Sequence, residues 1–172
     1  MTNPTPNLTA AAAGRDIDPR RNPRAWVANN ERITNEGDVE GWLALYEPDA
    51  VFESITDGSS DRVEGIDRLR ALVGRLVTLC SRHRLRVKKR FVAASDDVVV
   101  NAWTGGFNGR NRQFGVEIWT LRGAKVVRHE QYTVLDVRRS DSATAQLRAL
   151  FSGELAIKLE LAAGRRAQRG AR

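Results

Sequence analysis

Two side chains in the C-terminal half of the chain have the chemistry for proton transfer, Glu117 and His129. Glu117 stands between two aliphatic residues, and Trp119 shares its face if this segment is a β-strand. Burial on that face would strip water from the carboxylate, favour its protonated form and suit it to proton exchange near neutral pH. An imidazole titrates near neutral pH in any case, which makes His129 a suitable partner. The structural alternative is a Glu117 that faces solvent or pairs with an arginine such as Arg128.

Strand alternation adds polar and aromatic side chains that could contact a ligand. Three pairs of residues each share a strand face at a spacing of two: Asn101 and Trp103, Glu117 and Trp119, and His129 and Gln131. Tyr46 adds a phenol hydroxyl, and most of the four tryptophans are expected to pack in the core. If two or three aromatic rings line a cavity, they favour a flat, apolar ligand with few polar groups.

Three helices are predicted in the first half of the chain. The first covers about residues 23–36 and ends at Gly37. The second begins where Asp38 caps it and stops at Pro48, because proline cannot continue a helix. Apolar residues at helical spacing predict the third over residues 65–80.

Strands are predicted between and after these helices. A short strand over residues 50–54 follows Pro48 directly, and the turn-forming residues 57–61 predict a loop. Four longer strands with turn residues between them are predicted over about residues 82–94, 97–107, 112–122 and 125–136.

The ends of the chain differ from its middle in composition. Residues 1–22 are rich in proline and polar residues, which predicts a disordered N-terminal tail. Residues 23–136 hold the predicted helices and strands and form one domain. Residues 137–172 are predicted to be a helical extension, with an amphipathic helix over residues 143–163 and a basic tail. Such an apolar stripe must be buried, on this subunit or on a second one.

The chain of 172 residues is basic, with a formal net charge of +7 at pH 7. In residues 82–90 basic side chains alternate with apolar ones, so that a strand there would carry them on one face. Most charge runs of this kind form a solvated surface. The functional alternative is docking of an acidic partner such as an acyl carrier protein. Nucleic acid is disfavoured, because no aromatic residues alternate with the arginines to stack on bases.

Other classes of protein are disfavoured by what the sequence lacks. No apolar run approaches the roughly 20 residues of a membrane-spanning helix, and the first residues lack the apolar stretch of a signal peptide. We therefore expect a cytoplasmic protein with no membrane partner. The single cysteine, Cys80, cannot form an internal disulfide. No spacing of histidine, cysteine or carboxylate residues is typical of a metal site and no glycine-rich phosphate loop occurs, so we expect no cofactor.

Two segments together resemble the nuclear transport factor 2-like superfamily. Residues 37–54 pass from an amphipathic helix through Pro48 into a strand, and residues 116–132 make a long hairpin that turns at Gly123. The resemblance covers about residues 23–136 and implies an α+β fold. In that fold a curved, mostly antiparallel sheet wraps around three N-terminal helices and forms a cone with an internal pocket. Ketosteroid isomerases, SnoaL-like polyketide cyclases, limonene epoxide hydrolases and several dehydratases share this cone.

The resemblance implies roles for individual residues. Glu117 stands where ketosteroid isomerases place the acid that bonds the substrate oxyanion. Ser54 and Asn30 stand where those enzymes place their base carboxylate and the tyrosine of the first helix. Gln131 replaces the final-strand acid of the epoxide hydrolases, and His129 lies close to the histidine of the SnoaL-like cyclases. The frame of the pocket is therefore kept, and the known carboxylate arrangements are mostly replaced.

Two interpretations follow from this pattern. In the favoured one, Glu117 and His129 act as an acid/base pair that isomerises, cyclises or dehydrates a small apolar polycyclic or polyketide-like substrate. In the other, the cone is a non-catalytic ligand-binding or assembly module. We also predict a homodimer, because sheets of this type often pair through their outer faces and the C-terminal helix has an apolar side to bury.

Overall fold

The computed structural model describes residues 17–138, 142–144 and 147. Within these residues there are three helices: α1 (Pro23–Glu36), α2 (Val39–Leu43) and α3 (Ile66–Arg82). Six strands form one sheet: β1 (Tyr46–Thr56), β2 (Ser59–Glu64), β3 (Arg86–Ala94), β4 (Val98–Gly106), β5 (Gln113–Arg122) and β6 (Lys125–Val134). The strand order is β2-β1-β6-β5-β4-β3, in which only β1 and β6 are parallel. The α+β fold predicted from the sequence is confirmed.

Short-range signals set the limits of the first two helices. The side chain of Asn22 accepts a hydrogen bond from the backbone N–H of Ala25, and proline occupies the first turn of α1, where no backbone donor is needed. The helix ends at Gly37, whose φ of 68° favours glycine. Asp38 then caps α2 by accepting from the N–H of Gly41 at 2.8 Å.

Two predicted boundaries around the first strand are wrong. α2 ends at Leu43, and Pro48 lies inside β1 instead of ending a helix. Pro48 is tolerated because the pairing of β1 with β6 is interrupted between Tyr46 and Val51, where a residue without an N–H costs no ladder hydrogen bond. The loop predicted over residues 57–61 is only a turn at Asp57 and Gly58, and the chain returns at once as β2.

The basic strand is shorter than predicted. It begins at Arg86, because Arg82 still belongs to α3 and Arg84 lies in a turn with a φ of 51°. The basic face of β3 is therefore limited to Arg86, Lys88 and Arg90, all exposed.

Side chains of α1 cover the free edge of β3. The amide of Asn35 donates to the carbonyl of Val87 and accepts from the N–H of Val87, each at 2.9 Å. A carboxylate oxygen of Glu31 accepts from the N–H of Lys89 at 2.6 Å. Since an open strand edge invites pairing with other chains, these contacts close the edge and also fix α1 over β3.

The helices cover one face of the sheet, called the inner face below. Its core includes Trp26 from α1, Leu69 and Val73 from α3, and Trp119 from β5. Leu76 lies seven residues beyond Leu69, on the same side of α3, yet it is 37% exposed. α3 therefore packs on the core through Leu69, Val73 and the partly buried Val77, and Leu76 lies at the edge of this contact.

The tails are described only in part. Residues 17–22, which we expected to lie in a disordered tail, form a turn: Pro19 is buried and Ile17 packs against the core. Residues 1–16 and most of the helix predicted over residues 143–163 lie outside the described residues. No helix in the described part of the chain has the length and apolar character needed to cross a membrane.

Candidate functional site

Polar side chains lie opposite one another across four neighbouring strands. Asn101 on β4 pairs with Glu117 on β5, which pairs with Gln131 on β6. Gln131 in turn pairs with Ser54 on β1. Residues directly opposite in a sheet point to the same face, and the burial of Asn101 and Glu117 shows that this is the inner face. Strand alternation predicts that Asn101, Glu117 and Gln131 face inward, whereas Ser54 was named only by the family resemblance.

A buried ion pair forms the centre of this row. The Nζ atom of Lys89 lies 3.0 Å from Oε1 and 2.8 Å from Oε2 of Glu117. The two side chains are 2% and 5% exposed, so both charges are almost fully removed from water. Each charge is tolerated there because the other is present, since an isolated buried charge is strongly unfavourable.

Three further side chains are bonded to this ion pair or to one another. Asn101 Nδ2 donates to Glu117 Oε2 at 2.6 Å, and Trp119 Nε1 donates to Asn101 Oδ1 at 2.7 Å. Asn30 Oδ1 accepts from Lys89 Nζ at 3.3 Å. Glu117 therefore accepts three hydrogen bonds, as an ionised carboxylate does, and the network fixes the orientation of the Trp119 indole.

His129 and Tyr46 form a second buried group beside Trp119. The hydroxyl of Tyr46 lies 2.7 Å from Nδ1 of His129, and the imidazole stacks on the Trp119 ring at 3.5 Å between centroids. Burial, and then the positive charge of Lys89, hold the pKa of His129 well below its usual 6.5. Burial, and then the negative charge of Glu117, raise the pKa of Tyr46 well above its usual 10. Both side chains are therefore neutral at neutral pH.

In the part of the chain that the structure describes, three buried side-chain polar atoms have no hydrogen-bond partner: Asn30 Nδ2, Trp103 Nε1 and His129 Nε2. All three residues lie beside the ion pair or Trp119. Asn30 bonds Lys89, and Trp103 is the residue opposite Lys89 in the pairing of β3 with β4. His129 stacks on Trp119. Buried polar groups in proteins are nearly always bonded, so such atoms mark positions where another molecule could bond.

Gly115 determines where the Trp103 indole lies. A Cβ atom on Gly115 would fall 2.3 Å from Nε1 of Trp103 and 2.4 Å from Cε2. The indole therefore lies directly over this glycine, and no side chain fits between them. This places the free N–H of Trp103 on the inner face, above β5.

One end of this row of polar side chains is partly exposed. Ser54 and Gln131 are both partly exposed although they belong to the same row as the buried Glu117. Gln131 Nε2 donates to Thr133 Oγ1 at 3.2 Å, and the hydroxyls of Ser54 and Thr56 lie 3.2 Å apart. Ser54 and Gln131 therefore form a partly exposed, hydroxyl- and amide-bearing end of the polar row, although Thr133 beside Gln131 is buried.

Lys89 is the site residue that the sequence reasoning missed. The basic residues of this strand were assigned to its outer face, yet Lys89 falls at an odd position, in step with the apolar Val87 and Phe91. A single lysine among apolar residues on one strand face is itself a signal of a buried charge with a partner. Strict alternation would have placed Lys89 on the inner face of the sheet.

The structure does not join all the predicted residues. No hydrogen bond links Glu117 to His129. Trp119 connects them indirectly, because it donates to Asn101, which bonds Glu117, and stacks on the imidazole of His129. Arg128, the predicted alternative partner of Glu117, pairs instead with Glu53 and Glu130. Among the described residues, no group of three or more histidine, cysteine or carboxylate side chains could hold a metal ion.

Comparison with known families identifies the region that contains the site. The family model of the SnoaL-like domain matches residues 25–129, which is more than half of the chain and includes the ion pair and His129. None of the curated proteins matches the sequence.

Solved structures share the fold at low sequence identity. An NTF-2-like protein of unknown function from Burkholderia xenovorans is 20% identical with a TM-score of 0.52, over 79% of this chain and 98% of that one. A putative ketosteroid isomerase from Kribbella flavida is 13% identical with a TM-score of 0.55, over 73% and 87%. A putative isomerase from Bacillus subtilis is 18% identical with a TM-score of 0.51, over 66% and 88%.

Proposed function

Because the chain belongs to the SnoaL-like domain family of the nuclear transport factor 2-like superfamily, we propose that it is a cofactor-independent enzyme for a small organic molecule. The substrate class is an apolar ring system or polyketide-like molecule with a carbonyl group. The reaction class begins with removal of a proton from the carbon next to that carbonyl, as isomerisation, cyclisation and dehydration all can. Two structural neighbours are described as putative isomerases, which supports this class as an analogy of fold.

The observation that carries the proposal is the set of three unpartnered buried atoms. Asn30 Nδ2 and Trp103 Nε1 are N–H donors without an acceptor. A carbonyl oxygen that becomes negative during the reaction is the acceptor that such donors stabilise best. Lys89 supplies a positive charge beside them, since its Nζ bonds the same amide of Asn30. Glu117 acts as a positioning residue, because it holds Lys89 in place and balances its charge.

His129 is the proposed base. Its Nε2 atom is the third unpartnered atom, and its low pKa keeps the imidazole unprotonated and ready to accept a proton at neutral pH. For Nε2 to accept a proton, Nδ1 carries the imidazole hydrogen and donates to the Tyr46 hydroxyl oxygen, and this hydrogen bond holds the ring. Protonation of His129 beside Lys89 is unfavourable in the empty site, but a negative enolate oxygen bound there would offset the added charge.

Proton exchange tests this function without knowledge of the natural substrate. The protein would be incubated in D₂O with a fused bicyclic ketone such as 2-decalone, and with cyclohexanone, while NMR follows deuterium uptake next to the carbonyl. We expect catalysed exchange with the wild-type protein and a loss of roughly 100-fold or more in His129→Gln. His83→Gln is the matched control, because His83 is the only other histidine and is exposed. Exchange that is the same in both variants, or absent with a ketone that binds saturably, would refute the base role.

A non-catalytic ligand-binding module is the second candidate. It is favoured by the fact that Glu117 and the Nδ1 atom of His129 already have partners within the protein. In that case the same ketones would bind, and His129→Gln would change their affinity with no exchange to lose. Saturable binding without exchange therefore assigns the protein to this second class.

We also propose that two copies pair through the outer face of the sheet. Ile55, Phe114, Tyr132 and Val134 are exposed there and line a groove of about 250 Å³. A second copy would present the same apolar residues and cover them symmetrically. Sedimentation should then show a dimer that Phe114→Glu converts to a monomer. A wild-type protein that sediments only as a monomer at micromolar concentration would contradict this.

A further inference from the structure

Arginines in two parts of the molecule differ in their partners. On β2, α3, β5 and β6, four arginines form ion pairs with carboxylates: Arg62, Arg70, Arg122 and Arg128. At the end of the sheet where β3 and β5 begin, five arginines make no ion pair within the described residues: Arg82, Arg84, Arg86, Arg110 and Arg112. These five are called the rim arginines below, and all of them are exposed.

The rim arginines lie in or directly beside two turns that touch each other. The backbone N–H of Asn108 donates to the carbonyl of His83 at 2.8 Å, and the rings of His83 and Phe107 lie 6.0 Å apart. The turn after α3 and the turn between β4 and β5 are thereby held together. Five uncompensated positive charges on adjoining turns repel one another in the free protein. An acidic partner bound to these arginines would reduce this repulsion.

The rim arginines lie at the end of the sheet where β6 and β1 finish. Arg86 pairs with Gly106, and Gly105 pairs with Gln113, at the same end at which Thr133 and Thr56 pair near the ends of β6 and β1. A partner bound to the rim arginines would therefore lie at the end of the sheet toward which the partly exposed Ser54 and Gln131 lie.

Exposed leucines of α3 lie beside the rim arginines. Leu76 is 37% and Leu79 is 45% exposed, and Arg82 follows Leu79 by one turn of the helix. Interfaces between proteins combine an apolar centre with a charged rim. Nucleic acid offers no apolar surface of this kind to a leucine pair, so these residues favour a protein partner.

We propose that the rim arginines together with Leu76 and Leu79 dock an acidic carrier protein that presents its tethered apolar group to the inner face. The acidic side of a helix on the carrier would meet the arginines, and its apolar side would cover the two leucines. Presentation of a substrate rests on the proposed function, whereas docking itself does not. The two can therefore fail separately.

Binding of a purified holo acyl carrier protein, which is acidic and carries a phosphopantetheine arm, tests the docking. Fluorescence anisotropy with the labelled carrier would be measured at about 50 mM and about 300 mM salt, since screening weakens charge pairing. We expect saturable binding at low salt that weakens about tenfold in Arg110→Gln/Arg112→Gln, and that weakens in Leu79→Gln as well. The side chains of Arg110 and Arg112 make no hydrogen bond or ion pair, so this pair should fold normally.

A matched control separates local docking from net charge. Arg68→Gln/Arg122→Gln removes the same two charges at the start of α3 and at the opposite end of β5, and should change the affinity less than twofold because those charges lie far from the rim. Equal weakening in both pairs, or no binding of the carrier at low salt, would overturn the proposal. Tighter binding of a duplex DNA of about 20 base pairs that Leu79→Gln leaves unchanged would assign the surface to nucleic acid instead.

Discussion

The inner face of the sheet has a closed part and an open part, and the two treat polar groups differently. In the closed part, Lys89, Glu117, Asn101 and Trp119 bond one another in a continuous network, with almost no exposure to water. In the open part, Gln131 and Ser54 are partly exposed, and each makes a single 3.2 Å hydrogen bond to a nearby hydroxyl. The side chains of the closed part are held in fixed positions by their hydrogen bonds. The side chains of the open part can exchange their hydrogen-bond partners for polar groups of a ligand.

The largest expected effect comes from breaking the closed part at its charge pair. Lys89→Met leaves Glu117 buried without its counter-ion, and we expect a loss of about 3–5 kcal/mol in the free energy of unfolding, measured with urea. Lys88→Met is the control. The side chain of Lys88 is 83% exposed and its Nζ atom lies 3.7 Å from Oε1 of Glu31, so this variant should lose less than about 1 kcal/mol in the free energy of unfolding.

A double variant separates the charge from the packing. Lys89→Met/Glu117→Leu removes both charges and should recover much of the lost stability, since an apolar pair of similar volume replaces a buried ion pair at little cost. If Lys89→Met is as stable as the wild-type protein, water reaches Glu117, and this region is not excluded from solvent as described.

A smaller effect is expected where the two parts meet, at the contact of Trp103 with Gly115. Gly115→Ala forces its methyl group into the indole, and we expect a loss of about 1–3 kcal/mol in the free energy of unfolding. Gly74→Ala is the control, because a Cβ there meets no atom within 4 Å and alanine favours the helix. If Gly115→Ala costs nothing, Trp103 moves freely toward the open part and cannot hold its N–H in place.

The smallest expected effect is a pH dependence that arises in the closed part. The pKa of His129 is lowered in the folded protein, so the unfolded chain binds a proton more readily at mildly acidic pH. The stability that the neutral imidazole contributes is complete above about pH 6.5 and is lost as pH falls toward the lowered pKa. Urea unfolding of wild type and His129→Gln over this range should give curves of different slope. His83→Gln should keep the wild-type slope, and a loss of slope in that variant instead would contradict the assignment.

Much of the fold and part of the site could be predicted from local patterns. The alternation of β5 placed Glu117 and Trp119 on one face, whereas a β-bulge beside Thr120 and Leu121 sets the register that puts His129 directly opposite Trp119. The failures occurred where tertiary pairing overrides local preference. Pro48 is a helix breaker by type, but it lies in a strand because β1 is irregular at that point.

The sequence alone determined which side chains face inward and the family frame that holds them, because period-two alternation and turn residues are properties of neighbouring residues in the chain. Only the tertiary structure decided what those side chains contact. The partner of Glu117 is Lys89, 28 positions away, and the partner of His129 is Tyr46, 83 positions away. Contacts at such separations depend on strand order and on the crossing of helices over the sheet, which no local pattern encodes. The chemistry of the site follows from those contacts, since the same glutamate in water would be an ordinary surface charge.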